Sequence, residues 1–251
     1  MQRSPWSTAL VDDIATFERA VRPALESATS MEAAAQIMAR ELFDSFGAGV
    51  LVRLYQTMRY HQLPPPARQF VRDLAEKRDV ADRLHGMSPV LALLGTWGSE
   101  QDWRDRRKSR GHVAIPLFDA SFVQSIPMVA RLLQDLGVGM DFFDPEPGVQ
   151  TWKLLGGVNG VFYVPEAATA ADHLGRRIIP AQDFVAAHGV KTVFGMGGAY
   201  LAGSMVCAIV FAAEFVPRAQ AERFARTISI FKAATLRLAR QNRFFEAEPA
   251  S

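Results

Sequence analysis

The stretch 191–215, KTVFGMGGAYLAGSMVCAIVFAAEF, constrains this chain more than any other. It reads as a strand over 191–196, a reversal at Gly197 and Gly198, and a longer strand over 204–215. Glycine takes the positive φ angles that a tight reversal needs. The second strand carries almost no charge. A strand without charge is covered on both faces, which places this hairpin in the middle of an antiparallel sheet.

The flanking sequence predicts helices at both ends. Ser7 and Thr8 are N-caps for a first helix, with Leu10, Ile14, Phe17, Val21 and Ala24 in a heptad-like stripe and a kink at Pro23. A second helix starts at Ser30, buries Ile37, Met38, Leu42, Phe43 and Phe46, and closes at Gly47. VLVRLY (50–55) is the first strand. Pro64, Pro65 and Pro66 open a helix that buries Phe70, Val71, Leu74 and Ala75. Leu91 to Leu94 is a strand that Gly95 and Gly98 turn, 103–110 is an exposed charged run, and 111–117 is a strand. A helix over 122–136 has Pro127 in its first turns, VFYV (161–164) is a strand, and 180–188 is a short helix. The last helix, 217–242, carries a second stripe at Phe224, Ile228, Phe231 and Leu238, and the tail 244–251 is disordered.

Short strands between end helices give an α+β class: an α/β/α sandwich with one antiparallel sheet flanked by N- and C-terminal helices and by inserted helices. The two helix stripes either pack on their own sheet or pair with a second copy, and both readings stay open. By this division residues 1–29 form an N-terminal helix suited to dimerisation, and 30–243 form the main domain.

With 49 % hydrophobic and 22 % charged residues among 251, the chain can build a sizeable core. A net charge of +2 gives no reason to expect nucleic acid: Arg104, Arg106, Arg107, Lys108 and Arg110 are diluted by Asp102 and Asp105. The one cysteine excludes a disulfide framework and a cysteine-rich zinc site. The first residues lack the apolar core of a signal peptide, and no apolar run approaches the roughly 20 residues of a membrane helix. The expectation is a cytoplasmic protein with no membrane partner.

No GxSxG, Walker, HExxH or DxDxDG pattern occurs, so no enzyme is expected. GMGGAYLAG joins strand to strand, where a dinucleotide fingerprint needs strand then helix. Trp97, Trp103, Arg110 and His112 surround a glycine-hinged loop, which is either a pocket for an anionic or planar ligand or a solvated turn. None of the five histidines is spaced for a metal pair, though a single one would suffice for haem, which a Soret band would reveal. Cys207, in mid-strand, reads as a buried small hydrophobe.

One family fits this order of elements. The segments PAQDFVAAHGVKTVFGMGG and GSMVCAIVFAAEFVPRAQAERF resemble the short helix, hairpin and closing helix of GAF domains. LLGTWGSEQDWRDRRKSRGHVAIPL, followed by SFVQSIPMVARLLQDLG, is similar to GAF-like sensory regions near bacterial histidine kinases. The resemblance covers about 32–240. It implies a sensor that binds a small molecule, of unknown identity, between its sheet and the inserted segments. It also implies a homodimer formed through the terminal helices, or contact with another chain of a two-component system, since no kinase, cyclase or DNA-binding module follows the closing helix. The expected pocket walls are Trp97, His112, Phe162, Tyr163, Phe194 and Met196, with Arg110 as a ligand contact. A structural or interaction module with a self-filled pocket is the alternative.

Overall fold

Strands that are apolar on both faces need a cover on each side, and the chain supplies two helical layers. The computed structural model describes residues 3–109, 111–138, 160–200 and 203–246. In chain order the elements begin with β1 (Ser4–Pro5), α1 (Val11–Ser27), α2 (Met31–Ser45), β2 (Phe46–Gly47) and β3 (Gly49–Arg59). Next come α3 (Pro65–Lys77), β4 (Pro89–Gly98), two 3₁₀ turns (Gln101–Arg104 and Arg106–Lys108) and β5 (Ala114–Pro116). Then follow α4 (Ala120–Gln124), α5 (Pro127–Asp135), β6 (Gly160–Val164) and α6 (Gln182–Ala187). The chain finishes with β7 (Thr192–Ala199), β8 (Met205–Ala212), α7 (Arg218–Arg223) and α8 (Ala225–Arg240).

The main sheet has six strands in the order β5-β4-β3-β8-β7-β6, with antiparallel neighbours throughout. A separate parallel pair joins β1 to β2. The architecture is the expected α+β sandwich with one antiparallel sheet flanked by helices, and the hairpin β7–β8 lies within it as expected, since β8 is paired on both edges.

One face of the sheet carries α1, α2 and α8. Val52, Leu54, Phe194, Met196, Val210 and Tyr163 point into that core. Trp6 is its hub, with ring centroids 4.8 Å from Phe46, 5.0 Å from Phe224 and 5.4 Å from Phe194. Each fully buried Phe side chain in such a cluster contributes about 1.5–3 kcal/mol through area removed from water. The opposite face carries α4, α5 and α6 over Leu51, Tyr55, Leu93, Phe162, Cys207 and Ile209.

Both end-helix stripes are consumed inside the chain. Ile14, Phe17 and Val21 of α1, and Ile228, Phe231 and Leu238 of α8, are buried in the same core, while Leu10 is exposed. These stripe residues are thus buried in the chain's own core, with α1 packed chiefly on α2 and α8.

Several local expectations change. Gly95 and Gly98 do not turn; both lie inside β4. A Cβ on Gly95 would sit 2.3 Å from the backbone carbon of Ala35, so glycine there lets α2 lie directly on the strand. Gly197 and Gly198 likewise continue β7, and a Cβ on Gly197 would meet Leu136 Cδ1 at 2.5 Å. The first helix starts at Val11, where Asp13 accepts from Leu10 N at 2.9 Å, while Ser7 bonds Glu214 instead. Ser30 caps α2 as expected by accepting from Ala33 N, but Gly47 enters β2 and is no helix stop. The 122–136 helix is two helices because Ile126 is extended ahead of Pro127, which opens α5. The closing helix is likewise broken, at Phe224. Among the described residues, no helix is long and apolar enough to cross a membrane.

Candidate functional site

Both faces of the sheet hold polar side chains: Gln56 of β3, in register with Ala92 and Val206 of the terminal-helix core, is fully buried, while the face that carries α4, α5 and α6 holds Arg53 and Tyr55. On β3, Arg53, Tyr55 and Thr57 project to that face because their neighbours Val52, Leu54 and Met58 project to the other. Arg53 pairs in register with Thr96 on β4 and Ile209 on β8, at the middle of the sheet. Its guanidinium donates from Nη1 to Gly111 O at 2.9 Å and to the Tyr55 hydroxyl at 3.4 Å, and from Nη2 to Ser109 Oγ at 2.9 Å. Its Nε is buried without a hydrogen-bond partner. Among the described residues no carboxylate forms an ion pair with it.

His112 sits on the loop that Arg53 holds. It has φ of 51°, a left-handed conformation that costs a non-glycine residue about 1 kcal/mol or more. Burial pushes its imidazole below the usual range, and the Arg53 charge adds to that. The neutral ring is therefore the stable form near pH 7. Burial raises the Tyr55 phenol, with Arg53 partly opposing it, so the phenol keeps its proton. Cys207, beside Tyr55 in the β3–β8 pairing, is fully buried and its thiol is pushed up to about 12. A thiol in that state is no nucleophile.

The other residues expected around a pocket are dispersed. Phe162 is on this face, fully buried. Tyr163, Phe194 and Met196 are on the terminal-helix face, and Tyr163 donates its hydroxyl proton to Val216 O at 2.8 Å. Trp97 packs at the edge of that same helical layer, with the guanidinium carbons of Arg104 and Arg40 at 5.4 Å and 6.0 Å from its ring centroid. Arg110 lies outside the described residues. Of the expected set, Phe162 and His112 go with the sheet face that carries Arg53. Arg53 itself was not singled out. Its signal was available as one charge inside an otherwise apolar strand run, VLVRLY.

The charged run 103–110 is not a free solvated turn. Arg106 and Glu32 are each 10 % exposed at the side chain and meet at 2.7 Å. Glu32 also takes a contact from Arg107 Nη2 at 3.5 Å and accepts from Glu246 N at 3.0 Å. Arg106 stacks on Phe245 at 4.8 Å. Gln36 of α2 donates to Arg104 O and Thr96 O, both at 2.9 Å. The segment 101–112 is thus held by Arg53 at one end and by α2 and the C-terminal segment at the other.

A cleft of about 880 Å³ opens between α4, α5 and the 173–176 turn, lined in part by Gln124, Arg131, Gln134, His173 and Arg176. Its arginines already have carboxylates: Arg131 meets Asp135 at 2.9 Å and Arg176 meets Asp172 at 2.7 Å. Among the described residues, none of those expected from the sequence lines it. Among the described residues, no group of three or more His, Cys, Asp or Glu side chains is placed to hold a metal ion.

No family model and no curated protein matches the chain. Solved structures are similar to it. A free methionine-R-sulfoxide reductase from Neisseria meningitidis, in complex with its substrate, is 9 % identical over 96 % of this chain and 99 % of its own, with a TM-score of 0.49. The chromophore-binding domain of an unusual bacteriophytochrome from R. palustris is 10 % identical over 93 % of this chain and 64 % of its own, at 0.47. The phycoerythrobilin-bound GAF domain of a cyanobacterial phytochrome is 11 % identical over 93 % and 99 %, at 0.46. At such identities the likeness concerns the chain trace and says nothing of chemistry.

Proposed function

We propose that this chain is a small-molecule sensor that binds its ligand on the sheet face away from the terminal helices. It signals by shifting the 101–112 segment. The observation that carries this reading is the double attachment of that segment. Arg53, on the ligand side, holds Ser109 and Gly111. Glu32, on the output side, holds Arg106, Arg107 and the backbone of Glu246. A ligand that competes for Arg53 frees one end of the segment, and the strain reaches the start of α2 and the end of the chain. The terminal-helix layer then changes its contacts with a second copy or with another signalling protein. Because the apolar stripes of α1 and α8 are buried in the chain's own core, those contacts use the outward faces of the helices. The buried thiol of Cys207, pushed up to about 12, is no nucleophile, which favours binding over thiol catalysis at this face.

Native mass spectrometry of freshly purified protein, with hydrogen exchange before and after gentle removal of any bound species, tests this. The expected result is a retained small molecule whose loss increases exchange at 101–109 and 243–246. A chain that carries no such molecule and binds none from a metabolite library overturns the reading. So does binding that leaves exchange at 243–246 unchanged.

A further inference from the structure

We propose that Arg53 is the anchor for an anionic group of the ligand, a carboxylate or a phosphate. This assignment rests on the sensor reading above, and it names the chemistry that the site recognises. The guanidinium lies on β3, one of the two central strands, half-buried, and every acceptor the structure gives it is neutral: a backbone carbonyl, a serine hydroxyl and a phenol. A charge taken partly out of water normally has an opposite charge beside it. Arg106 shows this in the same molecule, meeting Glu32 at 2.7 Å. The two arginines of the cleft by α5 also have their carboxylates. Arg53 has none among the described residues, and its Nε proton is buried with nothing to accept it.

The geometry around the guanidinium suits an incoming anion. Nε and Nη2 lie on one edge of the planar group, and that edge is the one a carboxylate or phosphate grips with two parallel hydrogen bonds. Ser109 Oγ occupies the Nη2 position now. Tyr55 and Gly111 O accept from Nη1, on the far side of the guanidinium, and hold the group in place while that edge is engaged. Replacing the neutral Ser109 hydroxyl by a charged acceptor, and giving the buried Nε–H a partner, favours the bound state.

The test uses the full chain, inorganic phosphate and benzoate as probes, and sodium chloride at matched ionic strength as the control. Thermal unfolding and an NMR titration that follows the Arg53 Nε–H resonance are read together. The expected result is stabilisation by one probe beyond chloride, with a saturable shift of the Nε–H signal. Phosphate as the active probe identifies a phosphate ligand, and benzoate a carboxylate one. Arg53→Gln is expected to weaken that binding at least ten-fold and Arg53→Lys to weaken it less, while Arg131→Gln in the cleft leaves it unchanged. If Arg53→Gln does not fold, the Nε–H titration of the wild type decides alone. Equal probe binding in wild type and Arg53→Gln overturns the assignment, as does an Nε–H signal that neither anion moves. If a neutral molecule co-purifies and neither anion binds, the anion assignment fails while the sensor reading stands. If nothing co-purifies and neither anion binds, both fail.

Discussion

Replacing Gly95 by alanine adds one methyl group to a place where two backbones touch. The new Cβ would lie 2.3 Å from Ala35 C, 2.4 Å from Ala35 O and 2.6 Å from Gln36 N. All three are main-chain atoms of α2, so no flexible side chain can swing away. Restoring an ordinary 3.4 Å contact requires α2 and β4 to separate by about 1.1 Å. That displacement pulls on the Gln36 side chain, which bonds Thr96 N at 3.2 Å and Thr96 O and Arg104 O at 2.9 Å each. Overpacking of this kind costs about 1–3 kcal/mol. Disturbing one of the Gln36 bonds adds about 1 kcal/mol. The lower chain entropy of unfolded alanine returns about 0.4–1 kcal/mol. The sum is a destabilisation of about 1–3.6 kcal/mol, which for a chain of this length lowers the melting temperature by roughly 2–14 °C. Calorimetric or far-ultraviolet CD melting measures it, with urea unfolding as a second readout. Gly175→Ala is the control: its φ is +76° and nothing lies within 4 Å of its would-be Cβ, so it pays only the left-handed cost of about 1–2 kcal/mol. If Gly95→Ala melts within about 2 °C of wild type, α2 does not rest on β4 as described, and the path from the 101–112 segment through α2 loses its rigid part.

Glu32→Ala leaves the Arg106 guanidinium buried and unpaired, and is expected to cost about 3 kcal/mol in urea unfolding and to raise hydrogen exchange at 243–246; a loss below about 0.5 kcal/mol would mean that the hub carries no load. The Cys207 thiol, buried and pushed up to about 12, is expected to resist a thiol reagent at pH 8 until the protein unfolds, and prompt labelling in native buffer would contradict its placement. His112 has its folded pKa below the unfolded value of about 6.5 because of burial and the Arg53 charge, so the unfolded chain binds the extra proton. Stability from this group is complete above the unfolded value and falls as the pH drops through it toward the folded one. His112→Asn keeps a residue that tolerates the left-handed backbone, and is expected to remove that part of the pH dependence between about pH 7.5 and 5.5. Identical pH profiles for the two proteins would show that the ring is not in the described setting.

The sheet was legible where the cause is local. The uncharged run over β8 announced a strand covered on both faces, Ser30 announced a cap, and the prolines before Ala67 announced a helix start. What escaped was set by partners far along the chain. Gly95 and Gly197 look like turn residues until α2 and Leu136 are brought against them. The run around Arg106 looks solvated because its carboxylate, Glu32, is 74 residues away. The pocket was sought among aromatic residues of β6 and β7, but alternation along those strands sends Phe162 to one face and Tyr163, Phe194 and Met196 to the other.

The pairing of β3 with β8 has a consequence for how the chain is made. The partners Leu54 and Ala208 are separated by roughly 150 residues, a closure that costs about 2 kcal/mol more than a ten-residue loop. At 5–20 residues per second, β3 has left the ribosome for roughly ten seconds or longer before β8 is synthesised. During that interval one edge of an apolar strand is open to any neighbour that can extend a sheet. Arg53 is the single charged residue between positions 50 and 58, and it interrupts what would otherwise be an aggregation-prone run. The residue that we assign to ligand recognition in the finished fold is therefore also the gatekeeper of the nascent one, so variants at this position should be judged on soluble yield as well as on binding.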